Sequence, residues 1–282
     1  MVVQVQDRDQ SPPSQARQWR GWIALGLALI LCWLCWSWPV AASPLAERLG
    51  AFPQWQGKPV LKPATGSLIY PDWFLGDWQV TSTLVDMAAP LAPQLVTPGY
   101  ADNQRLLHQP VQFVVRFVEE PTPVRSQTLS GISPWELLSR KPPVIADLAF
   151  NGRSLAAAYL GDTAVQQVTV APGFPNRQTT VLSQGRQLVS TISDRSTELD
   201  TQNDRWIASE LFQQEFRSNT QIYLNQVENT TSYRYINTLP AQIDADQVTA
   251  IYLSPQDPNY FQALNQPIAL YRYRLVLTAL EN

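Results

Sequence analysis

Alternating apolar and polar residues that begin after Gly76 predict a half-buried β-strand. In DWQVTSTLVD, residues 77–86, every second side chain would share one face of the strand, which carries Trp78, Val80, Ser82 and Leu84. The alternation recurs in VQFVVRFVEE, residues 111–120, where one face carries Val111, Phe113, Val115 and Phe117. Because successive side chains of a strand point to opposite sides of a sheet, each of these faces predicts a side that packs on a core.

Short polar loops separate further runs of β-forming residues in the rest of the chain. These runs predict strands: VIADLAF, AVQQVTVA, QTTVLSQG, QLVSTISD, RWIASELFQQEFR, IYLNQVE, TSYRYIN, QVTAIYLS and IALYRYRLVLTAL. RWIASELFQQEFR also fits an amphipathic helix, and its strand neighbours favour a strand. NGRSLAAAYLG predicts one short helix that ends at Gly161. The sequence therefore predicts a mainly all-β fold, an up-and-down antiparallel β-barrel of about eight to ten strands with long loops, since closure removes exposed strand edges.

An apolar segment near the N-terminus predicts export. Arg17 and Arg20 precede an apolar run at residues 22–38, and PVAAS follows that run. Positive charge, an apolar stretch and small residues in this order are typical of a secretory signal, here cleaved after Ala42. The run is also nearly long enough to stay in the membrane as a single-helix anchor, so residues 1–42 are interpreted as either a signal peptide or an anchor.

The part after residue 42 divides into an arm and one domain. Residues 43–69 contain scattered prolines and predict an extended arm that Trp55 pins to the domain. Residues 70–282 predict a single β-barrel domain. Its long connections at 87–110 and 119–144 contain several prolines, and those of the first exclude a continuous helix or central strand there.

The residue inventory excludes the commonest catalytic centres. Both cysteines, Cys32 and Cys35, lie in the apolar run, and the chain has a single histidine, His108. Zinc sites, Cys-His nucleophiles and Ser-His-Asp triads are therefore excluded from the exported part, and neither a catalytic residue nor a metal site is predicted. The chain carries 20 Lys and Arg against 23 Asp and Glu, which argues against the concentrated positive surface that nucleic acid binding needs.

The Gly-x-Trp pattern at Gly76 and Trp78 opens the first strand, and the last strand contains arginine. This arrangement resembles the lipocalin-like, or calycin, architecture. The resemblance implies that an arginine of the last strand packs across the tryptophan and closes the barrel. Arg272 and Arg274 both match that position, and the sequence does not choose between them.

A longer resemblance covers most of the chain after residue 42. YPDWFLGDWQVTSTLVDMAAPLAPQLVTPGY, residues 70–100, resembles an uncharacterised family of cyanobacteria and plastids whose members carry export signals. The resemblance implies a location in the thylakoid lumen or the periplasm. It implies no activity and no catalytic residues.

The apolar face of the predicted barrel suggests a ligand cavity. Its candidate lining residues are Trp78, Val80, Leu84, Phe113, Val115, Phe117, Tyr271 and Tyr273. In a wide barrel these side chains would surround a hydrophobic pigment, quinone or lipid, and in a narrow barrel they would fill the interior themselves. We therefore expect a non-enzymatic protein that binds an apolar molecule in support of photosynthetic membranes.

The alternative interpretation is a scaffold or assembly factor for thylakoid membrane complexes. Long ordered loops are disproportionately functional, and this chain has two, at 87–110 and 119–144. In that case the proline-rich loops would form the contact surface, and the N-terminal apolar segment, if uncleaved, would add a membrane contact.

Overall fold

The structure, a computed structural model, describes residues 43–121, 141–200 and 204–280. Within them, ten antiparallel strands follow one another across a single sheet in the order β4-β3-β2-β11-β10-β9-β8-β7-β6-β5. The strands are β2 (Gly76–Ala88), β3 (Pro110–Glu119), β4 (Val144–Ala146), β5 (Val165–Ala171), β6 (Phe174–Leu182), β7 (Gln187–Asp200), β8 (Arg205–Arg217), β9 (Ile222–Ile236), β10 (Gln242–Leu253) and β11 (Ala269–Ala279). A two-residue strand, β1 (Lys62–Pro63), pairs with β7.

The sheet is strongly curled. Phe113 on β3 and Gln214 on β8 line the same cavity, although four strands separate them in the sheet. In a flat sheet these two strands would lie about 24 Å apart, since neighbouring strands are spaced by about 4.8 Å. The prediction of a mainly all-β fold with an up-and-down antiparallel sheet of about eight to ten strands is confirmed, and this sheet curls into a half-barrel. We call the side that carries Val80 and Gln247 the inner face, and the opposite side the outer face.

Four α-helices and four single turns of 3₁₀-helix accompany the sheet in the described residues. The α-helices are α1 (Pro44–Gly50), α2 (Tyr100–Asn103), α3 (Leu148–Leu160) and α4 (Tyr260–Ala263), and the 3₁₀ turns are Asp72–Phe74, Gln104–Leu106, Asp162–Ala164 and Ser183–Gly185. In the ranges given above, we find no helix with the length and apolar character needed to cross a membrane. The predicted signal or anchor at 1–42 lies outside the described residues.

Helix α3 packs against β3 near one end of the sheet and against β5 at the other. The Asn151 side chain accepts from the Arg116 backbone N–H at 2.6 Å and donates to the Arg116 carbonyl at 3.0 Å, as a neighbouring strand would do. The Ser154 hydroxyl accepts from the Val114 N–H at 3.1 Å. The strand β3 is longer than its neighbour β4, so part of its edge has no partner strand. Side chains of α3 form hydrogen bonds with the backbone of that part.

The predicted strand VIADLAF is wrong in its second half. The strand ends at Ala146, and Asp147 caps α3, because its carboxylate accepts from the Phe150 N–H at 3.1 Å. The C-terminal end agrees with the prediction. Gly161 follows the last helical residue with φ +87°, a conformation that favours glycine.

The predicted arm lies along the outer face but is not wholly extended. Ser43 caps α1 by accepting from the Ala46 N–H at 3.3 Å, and Leu45 and Leu49 fall on one side of this helix. Together with Trp55, which is 4% exposed, these leucines form a hydrophobic cluster with residues of β8, β10 and β11. The prediction that Trp55 pins this segment is confirmed.

A buried ion pair joins the arm to the outer face of the sheet. The Arg48 guanidinium donates to both carboxylate oxygens of Glu228, at 2.6 and 2.7 Å, and Glu228 has no exposed side-chain surface. The Tyr252 hydroxyl, at 2.7 Å, and the Thr230 hydroxyl, at 2.9 Å, also donate to this carboxylate. A charge that is removed from water is tolerated when it is paired and hydrogen-bonded, and Glu228 meets both conditions.

Candidate functional site

A cavity of about 460 Å³ lies on the inner face of the sheet. Its wall comes from β2, β3, β8, β9, β10 and β11, and α3 contributes Leu155 and Tyr159. These two helical side chains keep 43% and 38% of their surface exposed. The cavity is within the usual range of small-molecule sites in proteins, roughly 300–1,000 Å³.

The structure brings together most of the residues that the sequence proposes for a cavity. Val80, Phe113, Val115, Phe117 and Tyr273 all line it. The alternation in the β2 and β3 sequences was therefore informative, because it identified the side chains that share the inner face.

Three of the proposed residues lie elsewhere. Trp78 is buried in the aromatic core below the cavity, is 3% exposed, and donates through Nε1 to the Phe74 carbonyl at 2.7 Å. Leu84 and Tyr271 pack with Ala269 in a separate cluster. These residues support the fold and do not form the cavity wall.

Gly76, the first residue of the Gly-x-Trp pattern, has an unusual backbone conformation. Its φ is +119°, and a Cβ added there would meet no atom within 4 Å. The position needs glycine because of its backbone conformation, and not because a neighbouring element approaches closely.

Neither candidate arginine meets Trp78, so the expected barrel-closing contact is not formed. Trp78 lies opposite Ala279 in the pairing of β2 with β11. Arg274, the nearer of the two arginines, is five residues from Ala279, which is about 17 Å along a strand. Arg272 and Arg274 also alternate with the side chains that face the cavity, so they belong to the outer face.

The two arginines instead belong to a charged patch on the outer face. Arg272 donates to both carboxylate oxygens of Asp246, at 3.0 and 2.6 Å, and lies 5.6 Å from the centre of the Phe52 ring. Arg274 is exposed and is opposite Asp246 in the pairing of β10 with β11. The ion pair between Arg272 and Asp246 is only partly buried, and solvent screening limits what such pairs contribute to stability.

A chain of hydrogen bonds runs along one wall of the cavity, between β9 and β10. The Thr231 hydroxyl donates to Oε1 of Gln247 at 3.2 Å, and Nε2 of Gln247 donates to the Thr249 hydroxyl at 3.1 Å. The Thr249 hydroxyl in turn donates to Oδ1 of Asn229 at 2.7 Å. Of these four residues, Gln247, Thr249 and Asn229 line the cavity.

Two cavity tyrosines have raised pKa values. Burial, partly offset by the Thr231 hydroxyl, raises the pKa of Tyr233 to about 12. Burial also raises the pKa of Tyr273. Both hydroxyls therefore stay protonated at neutral pH and can act as hydrogen-bond donors.

The described residues that line the cavity include no charged side chain. In the same part of the chain, we find no group of three or more His, Cys, Asp or Glu residues placed to hold a metal ion. The site can therefore offer shape, apolar surface and neutral hydrogen bonds.

A second, smaller pocket of about 290 Å³ lies on the inner face beside the start of α3. Its wall includes Arg195 and Glu210, whose closest charged atoms are 3.1 Å apart. Arg195 also donates to Oδ1 of Asn176 at 2.7 Å and to the Gly66 carbonyl at 3.0 Å. Burial raises the pKa of Glu210, although Arg195 acts in the opposite direction.

The sequence reasoning missed the polar wall of the cavity. A signal was present, because Asn229 and Thr231 alternate along β9, and Gln247 and Thr249 alternate along β10. It could not be used without the register that places Thr249 opposite Asn229 and Gln247 opposite Thr231.

Comparison with known families gives one match. The model of a family described as a domain of unknown function (DUF6816) matches residues 63–281. The chain belongs to this family. The predicted resemblance to an uncharacterised family is thereby confirmed at that level. No curated protein and no solved structure matches the chain.

The DUF6816 match contains every strand from β2 to β11 and all residues of the cavity wall. It excludes α1 and the buried Trp55, both of which belong to the arm. The cavity is thus a feature of the DUF6816 domain, while part of the outer-face core comes from residues before it.

Proposed function

We propose that this DUF6816 protein binds a neutral, apolar small molecule in the cavity on the inner face of its curled sheet. The observation that carries the proposal is an uncharged cavity of about 460 Å³ among side chains of β2, β3 and β8–β11. An interior filled by its own side chains, the alternative that the sequence left open, would lack this space.

The residues around the cavity support an apolar ligand. Val80, Phe113, Val115 and Phe117 present hydrocarbon and aromatic surface to it. Apolar surface removed from water contributes about 25 cal/mol per Å², so a ligand that covers these side chains would bind favourably. A charged ligand would be disfavoured, since the wall offers no countercharge.

Helix α3 supplies a further argument. None of its residues is fully buried, although Leu155 and Tyr159 point their side chains at the cavity. A ligand in the cavity would cover these two side chains, and the helix would then be held by the ligand as well as by the edge of β3. Pigments, quinones and neutral lipids are the ligand classes that fit.

The proposal includes export to the thylakoid lumen or the periplasm and a role in support of photosynthetic membranes. Export rests on the arginines and the apolar run before residue 39, and the compartment and the photosynthetic role rest on the resemblance of residues 70–100 to a family of cyanobacteria and plastids. We propose no catalysis by the cavity. The scaffold alternative depends on two proline-rich loops, and most of the second lies outside the described residues.

Binding can be tested with the full chain and Nile red, a neutral apolar dye whose fluorescence increases away from water. Val115 and Val114 are adjacent on β3, and only Val115 lines the cavity. We expect Val115→Trp to fill the cavity and reduce dye binding by about tenfold or more, and the matched variant Val114→Trp to bind like the original protein.

Mass spectrometry of organic extracts from chain purified from its native host provides a second readout. A small molecule recovered with the original chain and with V114W, but not with V115W, supports the proposal. Absence of both dye binding and a co-purified molecule from the original chain would rule it out.

A further inference from the structure

The polar wall of the cavity has an excess of hydrogen-bond donors. Each threonine hydroxyl has one proton, and the chain of bonds uses it: Thr231 donates to Gln247, and Thr249 donates to Asn229. The chain of bonds thus ends on the carbonyl oxygen of Asn229. Both N–H groups of the Asn229 amide lack a hydrogen-bond partner in the part of the chain that the structure describes.

Two hydroxyls add to these free donors. Tyr273 and Ser82 line the cavity, and neither hydroxyl has a hydrogen-bond partner among the described residues. Both hydroxyls are therefore open to whatever occupies the cavity. A ligand that supplies an acceptor would form hydrogen bonds that the protein itself leaves unmade.

The uncharged wall decides which acceptor fits. A carboxylate or phosphate would lose its hydration in the cavity and meet no cation there. A carbonyl oxygen accepts hydrogen bonds without a charge, and one N–H group of the Asn229 amide can donate to it. Ketones, quinones and esters share this chemistry.

We infer that the cavity selects neutral apolar molecules that carry a carbonyl oxygen, which accepts hydrogen bonds from the Asn229 side-chain amide. This inference rests on the proposed function, because it names the chemical class of the ligand for the same site. Asn229 acts as the residue that determines specificity, and the apolar residues of β2 and β3 hold the hydrocarbon part.

Equilibrium dialysis of the full chain against three compounds with the same tail tests the inference. The probes are decyl-para-benzoquinone, its hydroquinone and decylbenzene, each quantified by chromatography. We expect the quinone to bind about tenfold more tightly than decylbenzene, the factor that one or two hydrogen bonds to an otherwise unpaired donor contribute.

Substitution of the amide separates specificity from binding. Asn229→Leu should remove the preference for the quinone and leave decylbenzene binding unchanged. The control Gln213→Leu removes an exposed amide that does not line the cavity and should keep the preference. A circular dichroism spectrum unchanged from the original protein shows that each variant is folded.

The outcomes distinguish the two proposals. If decylbenzene and the quinone bind equally to the original protein, or if the hydroquinone binds best, the carbonyl inference is overturned and the cavity is still a ligand site. If none of the three compounds binds, the proposed function fails with it. A quinone preference that survives Asn229→Leu also overturns the role assigned to Asn229.

Discussion

At the scale of single residues, Gly76 has the most specific backbone requirement in the first long strand. Its φ of +119° lies in a region that residues with a Cβ rarely adopt, and open space surrounds it. The strand then places Trp78 in a core where it packs with Phe74 and Phe117. The glycine therefore sets the direction in which β2 leaves the preceding 3₁₀ turn.

We expect Gly76→Ala to reduce the free energy of unfolding by about 1–3 kcal/mol, because the added Cβ strains the backbone without filling a gap. Gly50 is the matched control. It also has open space around it but lies at the end of α1 without a positive φ, so Gly50→Ala should be neutral or slightly stabilising. Urea denaturation measures both, and equal effects would contradict the conformational explanation.

The residue patterns predicted which side chains are buried in a strand better than they predicted which side chains contact each other. The Gly-x-Trp pattern correctly indicated a buried Trp78 at the start of a strand. The arginine partner could not be predicted, because it depends on the register of β11 against β2, which shifts at a bulge between Arg272 and Tyr273. The hydrogen bonds from Thr249 to Asn229 depend on register in the same way.

At the scale of elements, α3 provides hydrogen bonds along the edge of β3 that a neighbouring strand would otherwise provide. Its Asn151 side chain forms both hydrogen bonds with the Arg116 backbone that a paired strand would form. Sequence alone located this helix and its end at Gly161. It could not locate the start, because VIADLAF is apolar on both sides of Asp147, and only the cap that Asp147 forms separates strand from helix.

We expect Asn151→Ala to destabilise the protein by about 1–2 kcal/mol, since the Arg116 N–H loses its partner and the Arg116 carbonyl keeps only the bond from the Asp147 N–H. Hydrogen exchange should show faster exchange at the Arg116 amide than in the original protein. Arg153→Ala, an exposed change on the same helix, should leave that amide unaffected. Unchanged protection of Arg116 in Asn151→Ala would show that β3 keeps its edge without the helix.

At the scale of the whole molecule, buried tyrosines make the stability of the folded state depend on pH. Burial raises the pKa of Tyr233 to about 12 and the pKa of Tyr70, Tyr252 and Tyr273 above the ordinary value of 10.0. Each buried hydroxyl binds its proton more tightly in the folded state than in the unfolded state. Stability from these groups is therefore fully present below pH 10 and is lost as pH rises toward 12.

We expect alkaline unfolding between about pH 10 and 12, with tyrosinate absorbance and circular dichroism changing together. Tyr233→Phe removes one of the linked protons, so the dependence of unfolding free energy on pH should become less steep in this window. Tyrosinate formation that is complete before the loss of secondary structure would contradict this linkage.

The ion pair between Arg48 and Glu228 has a consequence for the limits of the folding unit. Glu228 belongs to the DUF6816 domain, but its cationic partner is contributed by a helix that ends before residue 63. A fragment trimmed to the family boundaries would leave a solitary anion beside the uncovered apolar surface of Ile207 and Leu270. Residues before position 63 therefore complete a core that the matched residues 63–281 do not complete alone.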